Sequence, residues 1–191
     1  MFIDEGARCI GDYAFYGIPT ISSVVIPETV TSIGTCAFSG CSALQSAPIG
    51  KVRDLGVAAF QGCVKLTDAP LCDTIASVPE SLFEGCVSLR DAVIPATAGS
   101  IGARSFQGCT GLESVRISSA TVDIASNAFD GNTFVDTMMN RIQDIGEIAG
   151  QSFIRIDNEL CQISSDCLMS VADVNSFANR AFYTDGYFLD D

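Results

Sequence analysis

"ISSVVIPETVTSIGTCAFSGC", residues 21–41, decides the fold because most of it returns along the chain. Its last part, extended as "AFSGCSAL" at residues 37–44, recurs as "AFQGCVKL" from Ala59, "LFEGCVSL" from Leu82 and "SFQGCTGL" from Ser105. Partial copies stand at Ala14 ("AFYGIPTI"), at Ala128 ("AFDGNTFV") and, as a bare "SF", at Ser152. With the phenylalanine of each copy as marker, Phe15, Phe38, Phe60, Phe83, Phe106, Phe129 and Phe153 are separated by 23, 22, 23, 23, 23 and 24 residues. Other apolar positions keep the same period. Ile33-Gly34, Leu55-Gly56, Ile101-Gly102 and Ile124-Ala125 precede the marker, and Ile21, Leu44, Leu66, Leu89 and Leu112 follow it. The unit reads L-x-x-V-x-I-P-x-x-V-x-x-I-G-x-x-A-F-x-G-C-x-x. A unit this short cannot bury its own apolar face, so it must stack on its neighbours.

Several of these positions recur together over six units, and the "IP…IG..AF.GC..L" pattern resembles the BspA-like, or Treponema pallidum type, leucine-rich repeats of bacterial and protist surface proteins. The period of 23 by itself fits a leucine-rich repeat, with one short strand per unit joining a parallel sheet. The expected fold is therefore a leucine-rich repeat solenoid, a right-handed superhelix with a parallel β-sheet, about 23 residues per unit and little helix. Departures from the pattern are local. Pro27 and Pro95 keep the family proline whereas Gly50, Cys72 and Ser118 replace it, and the cysteine column is Ile18 in the first copy and Asn132 in the last complete one.

The array is expected over residues 1–153, beginning inside a unit, since "FIDEGARCIG" at Phe2 aligns with "VIPETVTSIG" at Val25. Residues 154–191 lose the period. Echoes at Ile163 to Leu168 and Phe177 to Phe182 lie closer together, acidic residues are dense, and a shortened polar repeat is what a stack needs to cover its apolar end.

Strand residues at spacing three and two, such as Leu112, Val115 and Ile117, should point inward and those between them outward. The marker phenylalanines should stack in the core, where losing one ring costs about 3 to 5 kcal/mol. Cys41, Cys63, Cys86 and Cys109 share one column and read as a ladder of small buried side chains. A zinc site needs ligands converging on a point, and a disulfide needs side chains that face each other; a column offers neither. The off-column Cys9, Cys36, Cys72, Cys161 and Cys167 are less determined, with Cys161 and Cys167 the best candidates for a bridge. No histidine occurs, so a catalytic thiol has no imidazole base and serine triads are excluded. The glycines make no G-x-x-x-x-G-K-[ST] loop; they fall at repeat turns. No catalytic residue, metal site, cofactor or small-molecule substrate is therefore expected.

Ten basic against 23 acidic residues give a net charge of −13, which disfavours nucleic acid and anionic membrane surfaces. No apolar run approaches the roughly 20 residues of a membrane-spanning helix. What remains is the solvent side of the strand column. Gln45, Thr67, Asp68, Arg90, Asp91, Glu113 and Arg116 are the candidate binding residues, with Arg90 and Arg116 as anchors because arginine is enriched at interface hot spots. Pro48 and Pro70 stand in that column too and should make the sheet irregular, since proline brings no ladder donor. The resemblance implies a non-enzymatic, adhesion-type protein-binding module of a cell-surface or secreted protein. The alternatives are an architectural spacer without its own ligand and a cytosolic regulatory interaction repeat, the latter compatible with free thiols in a reducing compartment.

Overall fold

Every unit passes through three short segments, and the residues explain each. The computed structural model describes residues 1–117, 122–125, 127–132, 142–148, 151–156, 159–162 and 168–169. For Ser114, Arg116, Ile117 and the strands beyond residue 141 it describes the backbone. Among the described residues there is no helix. The strands in chain order are β1 (Cys9–Ile10), β2 (Ser32–Ile33), β3 (Asp54–Leu55), β4 (Asp91–Ile94), β5 (Ser100–Ile101), β6 (Ser114–Ile117), β7 (Asp123–Ile124), β8 (Ile142–Ile148), β9 (Gln151–Ile156), β10 (Glu159–Gln162) and β11 (Leu168–Met169).

The first segment carries the L-x-x-V-x-I residues. Alternation turns Leu112 and Val115, Ala92 and Ile94, and Ala47 and Ile49 into the core. It builds ladder one: a Phe2 to Val25 bridge, a Ser46 to Asp68 bridge, and β4 paired in parallel with β6. The second segment ends in the I-G pair and builds a further parallel ladder, so each unit contributes two strand segments where one was expected. Ladder two comprises β1-β2-β3, then a Val78 to Ile101 bridge and the β5-β7 pair. Its glycines are set by close approach. A Cβ on Gly56 would lie 2.3 Å from the Thr35 nitrogen and 2.4 Å from the Gly34 carbonyl carbon, leaving no room for a side chain.

The third segment is the A-F-x-G-C turn, which returns the chain to ladder one. Its glycine column has φ of 67 to 76°, and a second left-handed position is filled by the non-glycine residues Tyr13, Cys36, Ala58, Ser81 and Arg104 at 52 to 57°. Each such residue is disfavoured by about 1 kcal/mol or more, so surrounding packing and backbone bonds must hold it. Those bonds run unit to unit: Phe38 N–H to the Ala59 carbonyl at 2.8 Å, Phe60 to Leu82 at 3.0 Å, Phe83 to Ser105 at 2.8 Å and Phe106 to Ala128 at 2.8 Å.

Inside this turn column the phenylalanines stack as expected. Centroid spacings from Phe15 through Phe38, Phe60, Phe83 and Phe106 to Phe129 are 5.1, 5.3, 5.9, 5.5 and 5.0 Å. The four column cysteines are buried free thiols. Each donates to the carbonyl of the preceding unit's marker: Cys41 to Phe15, Cys63 to Phe38 and Cys86 to Phe60 at 3.2 Å, and Cys109 to Phe83 at 3.1 Å. Asn132 continues the column by donating its amide to Phe106 at 3.0 Å and to Phe129 at 2.9 Å. These thiols are thus donors as well as small packing groups.

Pro48 and Pro70 have the expected effect on ladder one, where the Phe60 and Phe83 units meet in a single bridge. Beyond residue 141 the strands no longer run parallel. β8, β9 and β10 form an antiparallel meander that includes Phe153, and β11 pairs antiparallel with β6. Ser118, Ile163, Cys167, Phe177 and Phe182 lie outside the described residues, as does the side chain of Cys161.

Candidate protein-interaction face

Because ladder one alternates, one residue of each pair must face solvent, and the period puts these outward residues in register. Gln45, Thr67, Arg90 and Glu113 form one exposed column, bonded along the backbone where Gln45 N–H meets the Ser22 carbonyl, Thr67 meets Gln45 and Glu113 meets Arg90. Asp68 and Asp91 form the next column, also exposed. Arg116 sits in β6 in register with Val93, and its side chain is outside the described set. The structure therefore brings six of the seven candidate side chains onto one face. Arg90 pairs with Glu113 at 3.5 Å, with both side chains about two-thirds exposed. Screening by water limits such a pair to roughly 0–1 kcal/mol, so it orients the Arg90 guanidinium more than it stabilises the fold.

A third outward column is apolar from Phe2 to Val93 and continues into Arg116, in register with Val93. Phe2 is 83% exposed, Val25 49% and Val93 50%, and the exposed Pro48 and Pro70 occupy the same register between them. Folding gains nothing from leaving such residues in water, and contiguous exposed apolar surface commonly marks an interaction site. Beside it lies a groove of about 330 Å³, walled by Pro27, Pro48 and Pro70 over Ile26, Val30 and Val52, with Glu28 and Lys51 on its rim. The groove coincides with the unit one residue shorter than the rest, where Gly50-Lys51 stands in place of Pro27-Glu28-Thr29.

Elsewhere the chemistry is structural. Burial pushes the Cys63 and Cys109 thiols up to about 12, and raises Cys41 and Cys86 as well. A thiol that stays protonated is a poor nucleophile. Cys72 behaves oppositely: its sulfur lies 3.2 Å from the Thr74 hydroxyl, and that hydrogen bond lowers its pKa. On the turn side, Arg104 pairs with Glu80 and approaches Glu84 at 3.9 Å, while Gln61 donates to Glu84 at 3.0 Å. Among the described residues no cluster of Cys, Asp and Glu has the geometry of a metal site, and no helix is long and apolar enough to cross a membrane.

The sequence that builds these ladders, the phenylalanine column and the repeated turn matches the model of the BspA type leucine rich repeat region in six copies, over residues 8–136 and 77–184. The chain belongs to the BspA-type leucine-rich repeat family. Among solved structures, a leucine rich repeat protein of Treponema pallidum is 28% identical with a TM-score of 0.57, the match covering 60% of this chain and 56% of that one. A leucine-rich repeat protein of Eubacterium ventriosum is 22% identical with a TM-score of 0.55, covering 69% of this chain and 42% of that one, and supports the fold alone. This BspA-type chain thus spans about half the length of these neighbours. No curated protein matches it.

Proposed function

We propose that this BspA-type array is a non-enzymatic protein-binding module of the adhesion type, belonging to a cell-surface or secreted protein, with the solvent side of ladder one as its contact face. The observation that carries the proposal is the apolar column of Phe2, Val25, Pro48, Pro70 and Val93, flanked by Gln45, Thr67, Asp68, Arg90, Asp91 and Glu113. This combination of an apolar centre and a polar, charged rim is the usual anatomy of a protein interface. Residues 154–191 serve as the cap of the stack. The thiols of Cys41, Cys63, Cys86 and Cys109 form a structural cysteine ladder with no redox role.

The face is tested by presenting the chain to a panel of matrix and surface proteins. A bound protein is then titrated against an Arg90→Glu/Arg116→Glu variant, a Val93→Glu variant and an Arg53→Glu/Lys65→Glu control. Arg53 leads into β3 and Lys65 lies in a turn, so neither belongs to the face. Both face variants should bind at least about tenfold more weakly with unchanged thermal midpoints, and the control should bind normally. Equal behaviour of face and control variants would move the function to a spacer that holds other domains apart. Binding only to cytosolic proteins would favour a regulatory repeat.

A further inference from the structure

Contacts between successive units are uneven: ladder one has no bridge between Val25 and Ser46, where the Gln45 N–H still bonds the Ser22 carbonyl, and among the described units only the Phe83 unit meets both of its neighbours through isolated bridges. At the junction of the Phe38 and Phe60 units ladder two is paired through β2 and β3, and at that of the Phe106 and Phe129 units both ladders are paired. The Phe83 unit is held otherwise. Its first segment meets the Phe60 unit through the isolated Ser46 to Asp68 bridge, and its second meets the Phe106 unit through the isolated Val78 to Ile101 bridge. Ladder two has no bridge between Leu55 and Val78, and in ladder one no bridge joins the first segment of the Phe83 unit to β4. The boundary therefore steps through the turn at residues 72–75.

The gap in ladder two has a definite cause. In neighbouring units the residue after the strand donates to the preceding unit: Gly34 to Ile10 at 2.8 Å, Gly56 to Ile33 at 2.7 Å, Gly102 to Val78 at 2.8 Å and Ala125 to Ile101 at 3.0 Å. Pro79 occupies that position in the Phe83 unit and has no N–H to offer the Leu55 carbonyl. The core responds on both sides of the step. Leu55, Ala69 and Leu71 are only partly buried, whereas their equivalents Ile33 and Ile101, Ala47 and Ala92, and Ile49 and Ile94 are buried. The Phe60 to Phe83 spacing, 5.9 Å, is the widest in the stack. Only the turn column runs through without a break, by the N–H groups of Ala58, Phe60 and Gly62 bonding to Glu80, Leu82 and Glu84, and by Cys86 bonding to Phe60.

We infer that the Phe83 unit is a hinge, at which the two halves of the array open and bend on their ladder side about the continuous turn column. The inference rests on the array alone and is independent of the binding proposal. Bending there changes the curvature of the solvent face between Pro70 and Val93, so the two halves of that face can adjust to a partner separately.

Amide exchange on the full chain tests the hinge. The Leu71 and Arg90 amides, which have no partner across the step, should exchange about tenfold or more faster than those of Gln45 and Glu113, which are bonded to the preceding unit. Pro79→Gly supplies the missing N–H in a column that holds Gly34, Gly56 and Gly102, with Ala125 at its end. It should slow exchange in residues 53–56 and 66–71, and narrow the distribution of end-to-end distances in small-angle scattering. Uniform protection from the Phe38 to the Phe129 unit in the unaltered chain overturns the hinge. A folded Pro79→Gly variant with unchanged exchange and scattering does so too.

Discussion

Phe106→Ala probes a buried ring that has a stacking neighbour on each side. The ring is 1% exposed and lies between Phe83 at 5.5 Å and Phe129 at 5.0 Å, nearly parallel to the latter. Removing it forfeits the transfer energy of a buried aromatic and leaves a cavity with rigid walls, because both flanking units are pinned by backbone bonds, Phe83 N–H to Ser105 at 2.8 Å and Phe106 N–H to Ala128 at 2.8 Å. The expected loss is about 3–5 kcal/mol. With a urea slope of roughly 2 kcal/mol per molar, the unfolding midpoint should fall by about 2 M at unchanged slope. Phe15→Ala is the internal comparison. Phe15 is only partly buried and stacks on one ring, Phe38, so about half the loss is expected there. Both are measured by urea titration of the full chain followed by far-ultraviolet circular dichroism. Equal shifts for the two variants would refute the reasoning, because they would mean that the ring's second neighbour and its full burial contribute nothing.

Two further predictions follow from the turn column and the close backbone approach. Burial raises Cys63 and Cys109 to about 12, while in the unfolded chain they ionise near 9, so the unfolded state sheds these protons first. Stability should be insensitive to these thiols below pH 9, and between pH 9 and 12 it should fall by up to about 1.4 kcal/mol per pH unit for each thiol. Urea midpoints at pH 8 and 10 measure this slope, and a Cys63→Ser/Cys109→Ser variant should flatten it; an unchanged slope would remove the cause. Gly56→Ala should destabilise by about 1–3 kcal/mol, because its Cβ meets backbone at 2.3 Å, whereas Gly11→Ala meets nothing within 4 Å and should be near neutral in the same titration.

What the sequence determined by itself is what repeats. A position facing the core meets the same surroundings in every unit, so selection for packing writes the same residue type at each period. The phenylalanine markers, the inward Leu, Val and Ile, and the cysteine column were legible for that reason, and so was the proline disturbance at Pro48 and Pro70. The outward columns carry no such constraint. Gln45, Thr67, Arg90 and Glu113 share nothing as residue types, and the apolar run of Phe2, Val25, Pro48, Pro70 and Val93 became a surface only once the register between units was known.

Tertiary structure also decided where the hydrogen bonds between units go. A thiol at Cys86 reaches the Phe60 carbonyl, 26 residues away, only because stacking sets the rise between units. Nothing in Tyr13, Cys36, Ala58, Ser81 and Arg104 announces a left-handed backbone; the turn imposes it, and the bonds on either side hold it. Pro79 in isolation is one more proline in a turn-rich chain. Its consequence depends on the Leu55 carbonyl of the neighbouring unit, a partner that exists in three dimensions and not along the chain, and so the opening of ladder two could be read only from the folded array.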